Sequence, residues 1–124
     1  MRVKLFFDGG CRPNPGRIEA AVVVRGGAHL FDDLGHGSNR DAEWLALIQA
    51  ARVARALGLA DVVFIGDAAE VIAQARRVLH GAAPMHHHAA TFQALVTDRP
   101  ATHARWVKRA RNLAGIVLSA RHPR

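Results

Sequence analysis

The chain has 124 residues, half of them hydrophobic and 22% charged, with 17 Lys and Arg against 10 Asp and Glu for a formal charge of +7. That length suits one domain, residues 1–124, and the apolar content excludes a disordered chain. No stretch approaches the roughly 18 uncharged apolar residues of a membrane helix, and the apolar run before Asp8 is too short for a secretory signal, so no membrane association is expected.

The basic balance points to a polyanionic partner, nucleic acid being the commonest. Cys11 is the single cysteine, which rules out an intrachain disulfide and fits a reducing, cytoplasmic setting. Nothing in the sequence calls for an oligomer, so a monomer is expected. The acids end at Asp98, whereas the tail carries Arg99, Arg105, Lys108, Arg109, Arg111, Arg121 and Arg124.

Residues 3–7 form an apolar run of strand formers that stops at the turn signal Asp8-Gly9-Gly10. Residues 10–16 read as loop, because Pro13 and Pro15 block helix. Residues 20–24 read as a second strand and Gly26-Gly27 as a hairpin turn, with a third strand over 28–35 pairing back on the second. Gly37-Ser38-Asn39 supplies turn and capping chemistry. Trp44, Leu45, Leu47, Ile48, Ala51 and Ala54 then recur at helical spacing, which predicts a helix over 41–57 with Trp44 in the core. Gly58 ends it. Residues 62–65 are a continuous apolar run, as expected of a strand buried on both faces, closed by Gly66-Asp67.

A helix is predicted over 68–79 and another over 85–96 after a short linker. The His86-His87-His88 run reads as a solvated helix start rather than a metal site, because adjacent helical positions point apart. Arg105-Trp106-Val107 is the candidate last strand, with Trp106 packed on it. Residues 112–120 make a short last helix weakened by Gly115, and His122 reads as tail. The order β-β-β-α-β-α-α-β-α implies an α/β (α+β) fold, a mixed sheet flanked by helices.

Three acids stand out. Asp8 ends the first strand, Asp67 ends the buried one, and Glu43 lies in the first turn of the long helix. Parallel neighbouring strands bring Asp8 and Asp67 together at the carboxyl ends of the sheet, where ligands of such sheets bind. Clustered carboxylates repel and need cations, and hard oxygen ligands suit Mg²⁺ or Mn²⁺. Each acid alone also fits turn, N-cap or first-turn chemistry.

The stretch Asp8-Gly9-Gly10-Cys11-Arg12-Pro13-Asn14-Pro15-Gly16 closely resembles the D-G-x-C-x-x-N-P-G opening of type 1 ribonucleases H. Ser38-Asn39-Arg40-Asp41-Ala42-Glu43 is similar to that family's T-N-N-x-x-E, and Gly66-Asp67-Ala68 to its strand-ending Asp-Ser. The resemblance is to a short form without the family's basic protrusion. It implies a ribonuclease H-like fold, a five-stranded mixed sheet flanked by helices, and two-metal hydrolysis of the RNA strand of an RNA–DNA hybrid with two Mg²⁺ ions, Mn²⁺ substituting. It further implies that Asp8, Glu43 and Asp67 are catalytic metal ligands. Gly9, Gly10, Cys11, Asn14 and Asn39 would meet the minor groove and the RNA 2′-hydroxyls, and Ser38 a phosphate of the DNA strand. Lys108 and Arg109 are expected on substrate phosphates.

The family's fourth carboxylate, near the start of the last helix, has no acidic counterpart here. Depending on register, Asn112, Gly115 or Ile116 stands in its place. Only Asn112 offers a side-chain oxygen, so Asn112 is the expected fourth catalytic and metal ligand, a role compatible with capping the last helix. The missing acid keeps two other readings open: a catalytically silent hybrid-binding domain, and a different nuclease or transferase on the same fold.

Overall fold

A computed structural model describes residues 1–122. The strands are β1 (Val3–Cys11), β2 (Gly16–Val24), β3 (Gly27–Phe31), β4 (His36–Gly37), β5 (Val62–Gly66) and β6 (Thr102–Trp106). The helices are α1 (Asn39–Ala56), α2 (Ala69–Leu79), α3 (His87–Val96) and α4 (Leu113–Ala120), with a single 3₁₀ turn at Arg109–Arg111. The sheet runs β3-β2-β1-β5-β6, and the two-residue β4 adds a sixth strand beside β2. β1 pairs antiparallel with β2 and parallel with β5, and β5 pairs parallel with β6. The mixed α/β architecture is the expected one.

Two layers of apolar packing hold the sheet. On one face Leu5, Phe7, Val22 and Phe64 meet Trp44, Leu47 and Ile48 of α1, Ile72 of α2 and Phe92 of α3. On the other, Ala21 and Val23 meet Ala114 and Leu118 of the short α4. Among the described residues no helix is long and apolar enough to cross a membrane.

The strand bounds differ from the expected ones at the site. β1 continues through Asp8-Gly9-Gly10 to Cys11, because β2 pairs with it from Leu5 onward, Asp8 opposite Ala21 and Cys11 opposite Ile18. The glycines that suggested a turn serve close packing instead. A Cβ on Gly9 would strike the Ala42 carbonyl of α1, while one on Gly10 would meet nothing. The β2–β3 turn is Arg25-Gly26, one residue earlier than expected, with φ of 53° and 78° at the two positions. β3 stops at Phe31, and Asp33 and Gly35 then adopt positive φ.

Ser38 caps α1 in a reciprocal box with Asp41. The helix starts at Asn39, so Glu43 lies one turn inside it rather than in its first turn. Trp44 is core as expected. Trp106 departs from expectation: it is 48% exposed, and its indole N–H donates to the Asp67 carbonyl at 3.1 Å. The edge position of β6 leaves one side of that ring uncovered. The histidine run is also less solvated than expected. His86 caps α3 and packs edge-on against Trp44, and His88 Nε2 meets Asp41 Oδ1 at 3.0 Å.

The Gly9 approach sets a test of the fold. Gly9→Ala forces α1 off β1 and lowers unfolding free energy by about 1–3 kcal/mol in a urea titration. Gly10→Ala in the same titration stays within roughly 0.5 kcal/mol of the parent. Equal effects of the two would mean that the helix does not bear on Gly9.

Candidate active site

The parallel register Phe6↔Ile65, carried two residues on, brings Asp8 level with Asp67 at the carboxyl ends of β1 and β5. The close crossing of α1 over Gly9 delivers Glu43 from above. Carboxylate oxygens of Asp8, Glu43 and Asp67 lie within 4.8 Å of one another, and this is the one such cluster of potential metal ligands found among the described residues. Glu43 Oε1 accepts from the Gly9 backbone N–H at 3.2 Å. Its other oxygen, Oε2, is buried with no hydrogen-bond partner.

The electrostatics follow from that crowding. Burial, and after it the Asp67 carboxylate, raises the Asp8 pKa to about 6. Burial, and after it Asp8, raises that of Glu43 to about 9. A proton shared with the Glu43 carboxyl, and after it the Arg109 guanidinium, pull Asp8 the other way, more weakly than these two causes. An orphaned buried carboxylate oxygen facing two further carboxylates fits a divalent cation, whose charge offsets the repulsion and whose shell takes hard oxygens.

The cluster opens on a cavity of about 490 Å³ whose walls include Gly9, Gly10, Cys11, Asn39 and Arg109. Cys11, Asn14 and Asn39 form a lattice at its edge. The Cys11 N–H donates to Asn39 Oδ1 at 3.3 Å, and the Asn39 N–H donates to Asn14 Oδ1 at 3.2 Å. Asn14, Ser38 and Lys108 do not line the cavity. The Ser38 hydroxyl, expected on a phosphate, is engaged with Asp41 at 3.1 Å in the cap of α1.

Asn112 is fully buried, and its oxygen is not turned to the cluster. That oxygen, expected to serve a metal, accepts from the Ala114 N–H at 3.1 Å and caps α4. Its amide nitrogen donates to the Phe7 carbonyl at 2.9 Å and to Asp67 Oδ1 at 3.1 Å. Asn112 therefore holds Asp67 in place by donation. Gly115 is the α4 residue that comes against Asp8: a Cβ there would lie 3.5 Å from Asp8 Oδ2. Ile116 is 54% exposed.

Arg12, Glu19 and His122 also line the cavity and escaped the sequence reading. Glu19 was findable in principle, since β2 pairs it opposite Gly10. His122 gave no signal, because its position depends on where α4 ends over the sheet.

Sheet order, carboxylate cluster and flanking helices define a ribonuclease H-like domain. The chain matches the reverse transcriptase-like family over residues 6–122 and belongs to that family. It is similar to ribonuclease HI of Halobacterium salinarum, with 37% identity over 71 residues, 53% of this chain and 36% of that protein. The match thus spans about a third of that curated relative's length. The solved ribonuclease H1 of the same archaeon superposes with a TM-score of 0.75 at 28% identity, covering 95% of this chain and 94% of that one. The N-terminal ribonuclease H domain of a Mycobacterium tuberculosis protein gives a TM-score of 0.75 at 26% identity, covering 96% and 94%.

The Asn112 geometry carries a prediction. Asn112→Asp keeps the cap but loses both donations and sets a carboxylate against Phe7 O and Asp67. In chelator at neutral pH it costs about 2 kcal/mol or more of unfolding free energy. Gly115→Asp, in contrast, adds an oxygen ligand beside Asp8 and tightens Mn²⁺ binding by calorimetry. A parent-like stability for Asn112→Asp would mean that its amide does not hold Asp67.

Proposed function

We propose that this chain is a type 1 ribonuclease H, a single domain over residues 1–124 that hydrolyses the RNA strand of an RNA–DNA hybrid. The observation that carries the reading is the convergence of Asp8, Glu43 and Asp67 within 4.8 Å, with Glu43 Oε2 buried and unpartnered, at the floor of a cavity edged by Cys11 and Asn39. The three carboxylates would hold Mg²⁺, two ions as the resemblance implies, with Mn²⁺ as substitute. When bound, such ions polarise a phosphodiester and lower the pKa of a water.

The chain's own groups do the rest. Gly9 admits α1 and with it Glu43, and Gly10, where a Cβ would meet nothing, keeps the strand bare so that a nucleic-acid backbone approaches the carboxylates closely. The Cys11–Asn14–Asn39 lattice fixes amide and backbone groups at the cavity edge, where ribose 2′-hydroxyls distinguish RNA from DNA. Arg109, on the cavity wall, supplies positive charge to a phosphate. Lys108, outside the wall, adds to the surrounding basic field. Asn112 keeps Asp67 oriented. The single buried thiol and the basic charge suit a monomer working in the reducing cytoplasm.

A second reading is a silent hybrid-binding domain. The bare Gly115 beside Asp8 favours it, since no fourth oxygen ligand comes from α4 there. Cleavage of an end-labelled RNA–DNA hybrid separates the two. The enzyme reading expects scission of the RNA strand that requires Mg²⁺ or Mn²⁺ and disappears in Asp8→Asn. Hybrid binding with no cleavage under either ion would establish the silent domain instead.

A further inference from the structure

Arg12, Glu19 and His122 line the carboxylate cavity and also a neighbouring cavity of about 390 Å³, whose other walls include Arg17, Asp33 and Arg121. They form the ridge between the two. Glu19 projects from β2 with its side chain only 15% exposed. One of its oxygens takes Arg121 Nη1 at 3.2 Å, and the other takes His122 Nε2.

The cations around this ridge are not equivalent. Arg121 is also paired with Asp32 at 2.8 Å, and Arg17 with Asp33 at 3.6 Å. Their charge is spent locally. Arg12 has no acidic partner within 4.0 Å among the described residues, and His122 Nδ1 has no hydrogen-bond partner there. A strap that merely pinned the end of α4 would need only the Arg121 pairs. The imidazole is an additional group, held by the Glu19 carboxylate through one nitrogen, on a residue that lines both cavities. An imidazolium donates from both nitrogens, so this arrangement suits an anion arriving opposite Glu19.

We infer that His122, oriented by Glu19, forms with Arg12 a clamp for a backbone phosphate of the nucleic-acid strand where it passes from the carboxylate cavity into its neighbour. The inference rests on the proposed function, which makes the first cavity a nucleic-acid cleft. His122 and Arg12 touch the substrate, and Glu19 is a positioning residue. Charged groups facing the imidazole are Glu19 from β2, Arg121 from the end of α4 with its partner Asp32, and Arg12 from the β1–β2 loop.

The test uses the full chain as Asp8→Asn, so that hybrid is bound without being cut, in Mg²⁺ at about pH 6. Affinity for a fluorescent RNA–DNA hybrid is measured across a sodium chloride series. Adding His122→Ala should weaken binding several-fold at low salt and shrink the salt slope by about 0.7 to 0.9, the loss of one neutralised phosphate. Glu19→Gln should weaken it in the same direction, and His122→Lys should restore both quantities. Melting temperature and Mn²⁺ affinity should stay at the parent values in His122→Ala. An unchanged slope in His122→Ala, or a loss that Lys does not restore, overturns the clamp. If the Asp8→Asn parent binds no hybrid at all, the cleft itself is refuted, and that outcome is distinct from either of the others.

Discussion

Glu43 reaches the ends of β1 and β5 because α1 lies directly over Gly9, its Ala42 carbonyl occupying the space a side chain would need. That approach couples the core to the chemistry. Trp44, Leu47 and Ile48 draw α1 onto the sheet, and the same seating presses Glu43 against Asp8 and Asp67. The three acids are thereby brought together, half-buried, although they repel. The Gly9 N–H satisfies one oxygen of Glu43, Asn112 satisfies one of Asp67, and Glu43 Oε2 is left over. The fold thus stores a mismatch that protons relieve partly and a divalent cation relieves better.

Charge is arranged around that mismatch in opposite senses. The acids sit at the floor of the cleft, and Arg109 and Arg12, which have no salt-bridge partner among the described residues, sit on its walls. A polyanionic strand would be drawn by the walls and would meet the floor only with cations to screen it.

Much of this was legible in the sequence because it is local. The alternation of short apolar runs with one long helical period predicted the mixed sheet, and the Asp8–Gly16 stretch carried the resemblance that joins Asp8 to Glu43 and Asp67. What escaped depends on long-range placement. Asp8-Gly9-Gly10 looks like a turn, yet pairing with β2 extends it as strand, and the glycines admit a helix. Trp106 looks like core, yet β6 is an edge. Asn112 offers both an oxygen and a nitrogen. Which of them faces Asp67 was decided by the Phe7 carbonyl, 105 positions away in sequence. Glu19 and His122 meet only because the end of α4 returns over β2.

The raised pKa of Glu43 implies that the cation-free cluster keeps a proton, which a divalent cation would displace. With burial and mutual repulsion raising Glu43 to about 9 and Asp8 to about 6, the coupled pair keeps a proton at pH 7. Cation binding favours the ionised form and must release that proton. Calorimetric titration of Mn²⁺ into the chelator-stripped protein, repeated at pH 7 in buffers of different ionisation enthalpy, measures the release. Close to one proton per protein is expected to be released at pH 7, falling toward zero as the pH is raised past 9. Binding with no buffer dependence at pH 7 would contradict it.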